Sequence, residues 1–107
     1  MQHPIVRNRR RSPVFRKLES AAPAIRSRFG VTRLGIFGSF ARGEQTKKSD
    51  VDVLVNFAPG YATLKNFIGL CDYLEGLFRR KVDLLTEESI SDLIRPYIEK
   101  DVIWIEG

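Results

Sequence analysis

One cysteine and one histidine stand in 107 residues, and each scarcity removes a class of chemistry. Cys71 alone cannot close an internal disulfide, and no Cys/His cluster offers the spacing of a zinc site. No apolar run reaches the roughly 18 residues that a membrane span needs. The opening MQHPIVRNRRRSP is basic but no apolar stretch follows it, so a secretory signal is not expected and a cytoplasmic location is. Internal repeats and low-complexity segments are also missing. What is present is ordinary: 43% hydrophobic and 29% charged residues describe one soluble globular domain and exclude collagen-like, disordered and disulfide-scaffold classes. A domain of this size buries about two-thirds of its unfolded surface, enough for one modest core. A two-substrate reaction is therefore expected to borrow part of its site from another chain.

Acidic residues are scarce only in the first third. Met1 to Arg33 holds nine basic residues against Glu19, a balance of +8, whereas Leu34 to Gly107 holds nine against twelve, a balance of −3. The overall +5 is thus no general nucleic-acid footprint. Residues 1–12 are expected to form a basic disordered tail and residues 13–107 a single domain. The tail is the one place where nucleic acid would bind.

Hydrophobic periodicity divides the domain into alternating helices and strands, an α/β pattern. Ser12-Pro13 reads as a helix start and Gly30 as its C-cap, with Pro23 expected to end or kink the helix. Val31 to Phe37 reads as a buried strand. In Val51 to Phe57 the valines 51, 53 and 55 face one way while Asp52, Leu54 and Asn56 face the other. From Thr63 to Phe78, Leu64, Phe67, Ile68, Cys71, Leu74, Leu77 and Phe78 recur as on one helix face. Lys81 to Thr86 is a short strand, Glu87 to Lys100 a helix broken near Pro96, and Val102 to Ile105 a last strand. Cys71 and the set Leu93, Ile94, Tyr97 and Ile98 are expected in the core. Tyr61 is expected at the surface rather than beside a nucleotide base, and Trp104 fits either core or a partner contact.

The chemistry sits between the first two strands. A strand running into Gly38-Ser39 and then a helical turn aims backbone N–H groups and a hydroxyl at one point, a phosphate cradle. After ten intervening residues come Asp50 and Asp52, two apart, whose carboxylates project from one face about 6–7 Å apart along the backbone. Asp83 follows on a later strand. Acids within apolar strands are costly unless paired or bound to metal. Three carboxylates without His or Cys are hard oxygen ligands, suited to Mg²⁺ or Mn²⁺. Two such ions about 3.5–4 Å apart can clamp an in-line phosphoryl or nucleotidyl displacement.

Gly38-Ser39-Phe40-Ala41-Arg42-Gly43-Glu44, followed by Ser49-Asp50-Val51-Asp52-Val53-Leu54-Val55 and by Arg80-Lys81-Val82-Asp83-Leu84-Leu85, resembles the signature of minimal nucleotidyltransferase (MNT) domains. These belong to the DNA polymerase β-like nucleotidyltransferase superfamily. The similarity runs from about Ala24 to Ile105. Phe40 stands where relatives carry Tyr, Arg or Val, and the arginine-rich start is outside the shared pattern. The resemblance implies a nucleotidyltransferase fold, a mixed sheet flanked by helices, with ATP as donor and two Mg²⁺ ions. It implies Asp50 and Asp52 as shared metal ligands, Asp83 as third ligand and base for the acceptor hydroxyl, and Gly38 with Ser39 as binders of the β/γ-phosphates. Arg42 is read either as steadying the phosphates or as the ion-pair partner of Glu44 or Asp50.

Stand-alone members that this chain resembles are antitoxins paired with a HEPN-type ribonuclease toxin. They are similar to protein adenylyltransferases that move AMP from ATP onto a tyrosine of the toxin. That activity is the expectation here, with a HEPN-type toxin and ATP as partners and no membrane. The alternatives are nucleotidyl transfer to RNA or to a small-molecule hydroxyl, and a non-catalytic toxin-binding subunit.

Overall fold

The computed structural model describes residues 12–105; the basic tail up to Arg11 lies outside them. Helix α1 spans Pro13–Phe29, strand β1 Val31–Phe37, the short helix α2 Gly38–Arg42, β2 Val51–Phe57, and α3 Leu64–Phe78. Strand β3 spans Val82–Thr86, a 3-10 turn Glu87–Ser89, α4 Arg95–Asp101 and β4 Ile103–Trp104. The sheet order is β3-β2-β1-β4. Strand β1 runs antiparallel to β2 and β4, whereas β2 and β3 are parallel, joined by α3 as the crossover. The expected mixed sheet is therefore present.

Local chemistry sets the element ends. The Ser12 side chain accepts from the Phe15 N–H, Pro13 occupies the first turn, and Gly30 closes α1 in the left-handed region with its N–H donated to Arg26 O at 3.0 Å. Pro23 neither ends nor interrupts α1, contrary to expectation. It lies on the exposed face, where water can take the carbonyl that its missing N–H leaves unpaired. Thr63 caps α3 by accepting from the Asn66 N–H at 3.1 Å.

Strand alternation distributes the core. Val51, Val53 and Val55 join Leu34 and Ile36 beneath α1 and α3, where Leu18, Ile25, Leu70 and Leu74 are fully buried. Burying each such side chain contributes roughly 1.5–3 kcal/mol. Leu54 points the other way, into a smaller cluster with Ile90 and Ile98 under α4. The apolar face of α3 holds Phe67, Cys71, Leu74, Leu77 and Phe78 as expected, but gains Leu70 and loses Leu64 and Ile68. Leu70 is 0% exposed, while Leu64 and Ile68 are 75% and 50% exposed, because the helix meets both the sheet and α1 along its Leu70–Leu74–Phe78 line.

The segment after β3 also differs. Pro96 lies in the first turn of α4 and starts it, a position where no N–H is needed. The preceding residues form only the 3-10 turn and a hydrogen-bonded turn at 92–94. Of the four apolar residues expected in the core there, only Ile98 is buried; Leu93 and Tyr97 are 85% and 73% exposed and Ile94 is also open to solvent. No helix among the described residues is long and apolar enough to cross a membrane.

Candidate active site

The sheet brings Gly38, Asp52 and Asp83 to one place. Asp52 is opposite Asp83 in the parallel β2–β3 register, and Phe37, the residue before Gly38, is opposite Asp52 in the antiparallel β1–β2 register. Asp50 immediately precedes β2, at the same end of the strand. These positions lie on the face carrying Leu54 and Leu85, away from α1 and α3.

Gly38 is required twice over. Its φ of +72° is a conformation that side chains rarely adopt, and a Cβ there would collide with the Asp52 carboxylate oxygen Oδ2. The backbone that opens α2 thus lies directly against the acid. The side chains of Gly38's neighbours divide: Phe40 and Ala41 are buried and anchor α2, while Ser39 is half-buried at its start.

The acids differ in exposure. Asp50 and Asp83 are exposed and Asp52 is half-buried: β3 is the sheet edge, and its Asp83 side faces solvent. Desolvation, then the negative charges of Asp83 and Asp50, push the Asp52 carboxyl up to about 6, with Arg42 pulling it back. Arg42 itself is engaged: its guanidinium bonds Glu44 Oε1 at 2.9 Å and Asp101 Oδ2 at 2.6 Å, tying α2 to α4. Of the two readings, the ion pair is present, with Glu44 and Asp101 rather than Asp50.

Mutual repulsion among three carboxylates is relieved by a divalent cation, and the donor set is all oxygen, which fits Mg²⁺ or Mn²⁺. Among the described residues, however, no three His, Cys, Asp or Glu side chains already converge closely enough to hold an ion. The backbone register alone brings Asp52 and Asp83 side by side on neighbouring strands.

The loop before Asp50 is folded upon itself. Ser49 Oγ accepts from the Thr46 N–H at 2.8 Å, and Thr46 Oγ1 accepts from the Lys48 N–H at 3.2 Å. Lys47 and Lys48 are exposed. Arg80 has no role predicted from the sequence; its guanidinium reaches this loop from the α3–β3 turn. Nothing in periodicity signals such a contact, because it depends on the turn at Arg79. Tyr61 packs over Gly30 at the opposite end of the sheet, away from the acids. Cys71 is packed against the core, and burial, then Glu75, Asp72 and Asp83, raise its thiol pKa, the opposite of a reactive thiolate.

Comparison with known proteins agrees with this geometry. The family profile described as nucleotidyltransferase domain matches residues 18–105. The chain is 42% identical over 81 residues to protein adenylyltransferase MntA of Thermococcus cleftensis, covering 76% of this chain and 81% of that protein. A solved minimal nucleotidyltransferase superposes with a TM-score of 0.72 at 35% identity, covering 82% of this chain and 89% of the other. A toxin–antitoxin structure with AMP-PNP shares the fold, with a TM-score of 0.69 at 21% identity over 83% of this chain and 73% of its own. A glycine backbone laid against an acid, with two further acids at the same strand ends, is the arrangement that this match spans, and the chain belongs to the nucleotidyltransferase domain family of enzymes.

Proposed function

We propose that this chain is a Mg²⁺-dependent protein adenylyltransferase that moves AMP from ATP to a tyrosine hydroxyl of a HEPN-type toxin and thereby acts as its antitoxin. The observation that carries the reading is that Gly38, Asp50, Asp52 and Asp83 lie at the same end of neighbouring strands of the sheet. Its specificity for a protein acceptor is supported by the similarity to the adenylyltransferase of T. cleftensis. A toxin partner is supported by fold neighbours solved as MNT–HEPN toxin–antitoxin complexes. Leu93, Ile94 and Tyr97 add an exposed apolar surface of the kind that protein partners cover.

In the proposed mechanism, the Gly38 and Ser39 region receives the β/γ-phosphates through backbone N–H groups and the Ser39 hydroxyl. Asp50, Asp52 and Asp83 would hold Mg²⁺, which when bound would supply positive charge to offset the negative charge of the triphosphate and the acceptor oxygen. The acceptor oxygen attacks the α-phosphorus as the bond to the β-phosphate oxygen breaks. Diphosphate leaves and the hydroxyl proton passes to the exposed Asp83 carboxylate. The chain contributes position and electrostatics and no covalent nucleophile. Arg42, held by Glu44 and Asp101, keeps α2 in place and steadies the phosphates through that helix.

The test is to incubate the chain with ATP, Mg²⁺ and the protein encoded beside its gene and to read intact masses. The expected result is an added adenylyl group mapped to a tyrosine, absent with Asp50→Ala/Asp52→Ala. An adduct that persists in the double variant, or toxin neutralisation by that variant at normal expression, would refute catalysis by these acids.

A further inference from the structure

The geometry assigns Arg80 the role of positioning residue for Asp50 and for α2, a role that rests on the proposed reaction. Three contacts define it. Arg80 Nη1 donates to the carbonyl oxygens of Ser49 at 2.8 Å, Lys47 at 3.1 Å and Thr46 at 3.4 Å. Its guanidinium carbon lies 5.2 Å from the centroid of the Phe40 ring, in the middle of α2. The next residue, Lys81, accepts the Val51 N–H at 3.0 Å through its backbone carbonyl.

The consequence falls on Asp50. The peptide group before it is held through the Ser49 carbonyl by the Arg80 side chain, and the peptide group after it is held through the Val51 N–H by the Lys81 backbone. Both backbone dihedrals of Asp50 are therefore bracketed by two successive residues of another segment. Although Asp50 itself is exposed, its Cα is fixed relative to β3, which carries Asp83. The stack on Phe40 couples the same guanidinium to the helix that starts at Gly38. One side chain thus ties together the loop bearing Asp50 and the phosphate-facing helix.

The turn that delivers Arg80 is itself specialised. Arg79 adopts φ +56°, the one positive value among the described non-glycine residues, and donates its N–H to Glu75 O at 2.8 Å. A left-handed conformation at a residue with a side chain is unfavourable and persists where the surroundings determine it. Here it ends α3 and turns the next residue towards the loop. Lysine at position 80 can donate to the loop carbonyls but lacks the planar fork and the flat face that meets Phe40.

The experiment compares wild type, Arg80→Ala and Arg80→Lys in three readouts. Amide hydrogen exchange at residues 46–51 of the metal-free protein is expected to quicken by about tenfold or more in Arg80→Ala. Mn²⁺ binding in the presence of a non-hydrolysable ATP analogue is expected to weaken roughly 10–100-fold, the usual cost of removing a group that orients a metal ligand. In adenylyl transfer, kcat is expected to fall by a similar factor with KM for ATP changed less than about threefold. Arg80→Lys, which keeps the charge and the fold, should lie between, and it serves if the alanine variant folds poorly. Unchanged exchange and Mn²⁺ binding in both variants would overturn the assignment even with an active wild type. A wild type that transfers nothing but shows the exchange and Mn²⁺ effects would overturn the proposed reaction and keep the role of Arg80.

Discussion

Replacing Asp52 by Asn is expected to abolish transfer and to stabilise the fold at the same time. Asn keeps the size and removes the charge that the site concentrates. As a shared metal ligand, Asp52 should be worth at least ~10³ in kcat, about 4 kcal/mol of transition-state stabilisation. The stability gain comes from linkage. The Asp52 carboxyl is raised from 3.8 to about 6, chiefly by desolvation and then by Asp83 and Asp50. Below the unfolded value both states are protonated and the residue costs nothing. Between the two values the unfolded state ionises first, so stability falls as pH rises, and above about 6 the full penalty is present. Two units would correspond to roughly 3 kcal/mol, but the half-exposed side chain is screened by solvent, leaving about 1 kcal/mol. Thermal melts in EDTA should therefore show Asp52→Asn melting about 4 °C above wild type at pH 7 and level with it near pH 4. A variant no more stable than wild type at pH 7 would contradict the account of strained carboxylates.

Removal of divalent metal is expected to have the second large effect. With excess EDTA, transfer should drop by at least ~10³-fold, and Mg²⁺ or Mn²⁺ should restore it, because the acids offer only hard oxygen donors. Zn²⁺ should restore little, since no histidine or thiolate stands among the acids. The same addition of Mg²⁺ should raise the melting temperature of wild type more than that of Asp52→Asn. Full activity in EDTA, measured as adenylyl incorporation at fixed ATP, would contradict the role given to the three acids.

These results bear on how far a sequence alone can locate a site. The ends of α1, β1, β2 and α3 follow from local chemistry: Ser12 and Thr63 as caps, Gly30 as a left-handed stop, and alternating valines in β2. The positions of Gly38, Asp50, Asp52 and Asp83 were legible as spacing, and the register of β2 with its two neighbours explains why that spacing converges. Less was legible where tertiary contacts decide. Pro23 is tolerated because its face of α1 meets solvent. Leu70 is buried and Leu64 exposed because α3 packs at an angle set by α1 as well as by the sheet. Leu93 and Tyr97 have helical spacing, but Leu93 lies in the turn ahead of α4 and Tyr97 on the exposed side of α4 itself, so the two do not share a buried face. Arg80 and Asp101 act on elements more than 30 residues away in sequence, a relation that no local pattern records.

The charge asymmetry gains a structural meaning as well. The −3 remainder of the chain contains the acids at one end of β2 and β3, and their repulsion is a cost that bound cations would offset. Stability given up at a functional site in this way is the common trade in enzymes.

The claim that this chain performs nucleotidyl rather than phosphoryl transfer is tested most directly by the fate of the two ends of ATP. The chain, Mg²⁺ and the protein encoded beside its gene are incubated with ATP labelled at the α-phosphate or, separately, at the γ-phosphate, and label in protein is measured. Label is expected in the acceptor protein from the α-position only, with the γ-label released as diphosphate. Incorporation from the γ-position would contradict it.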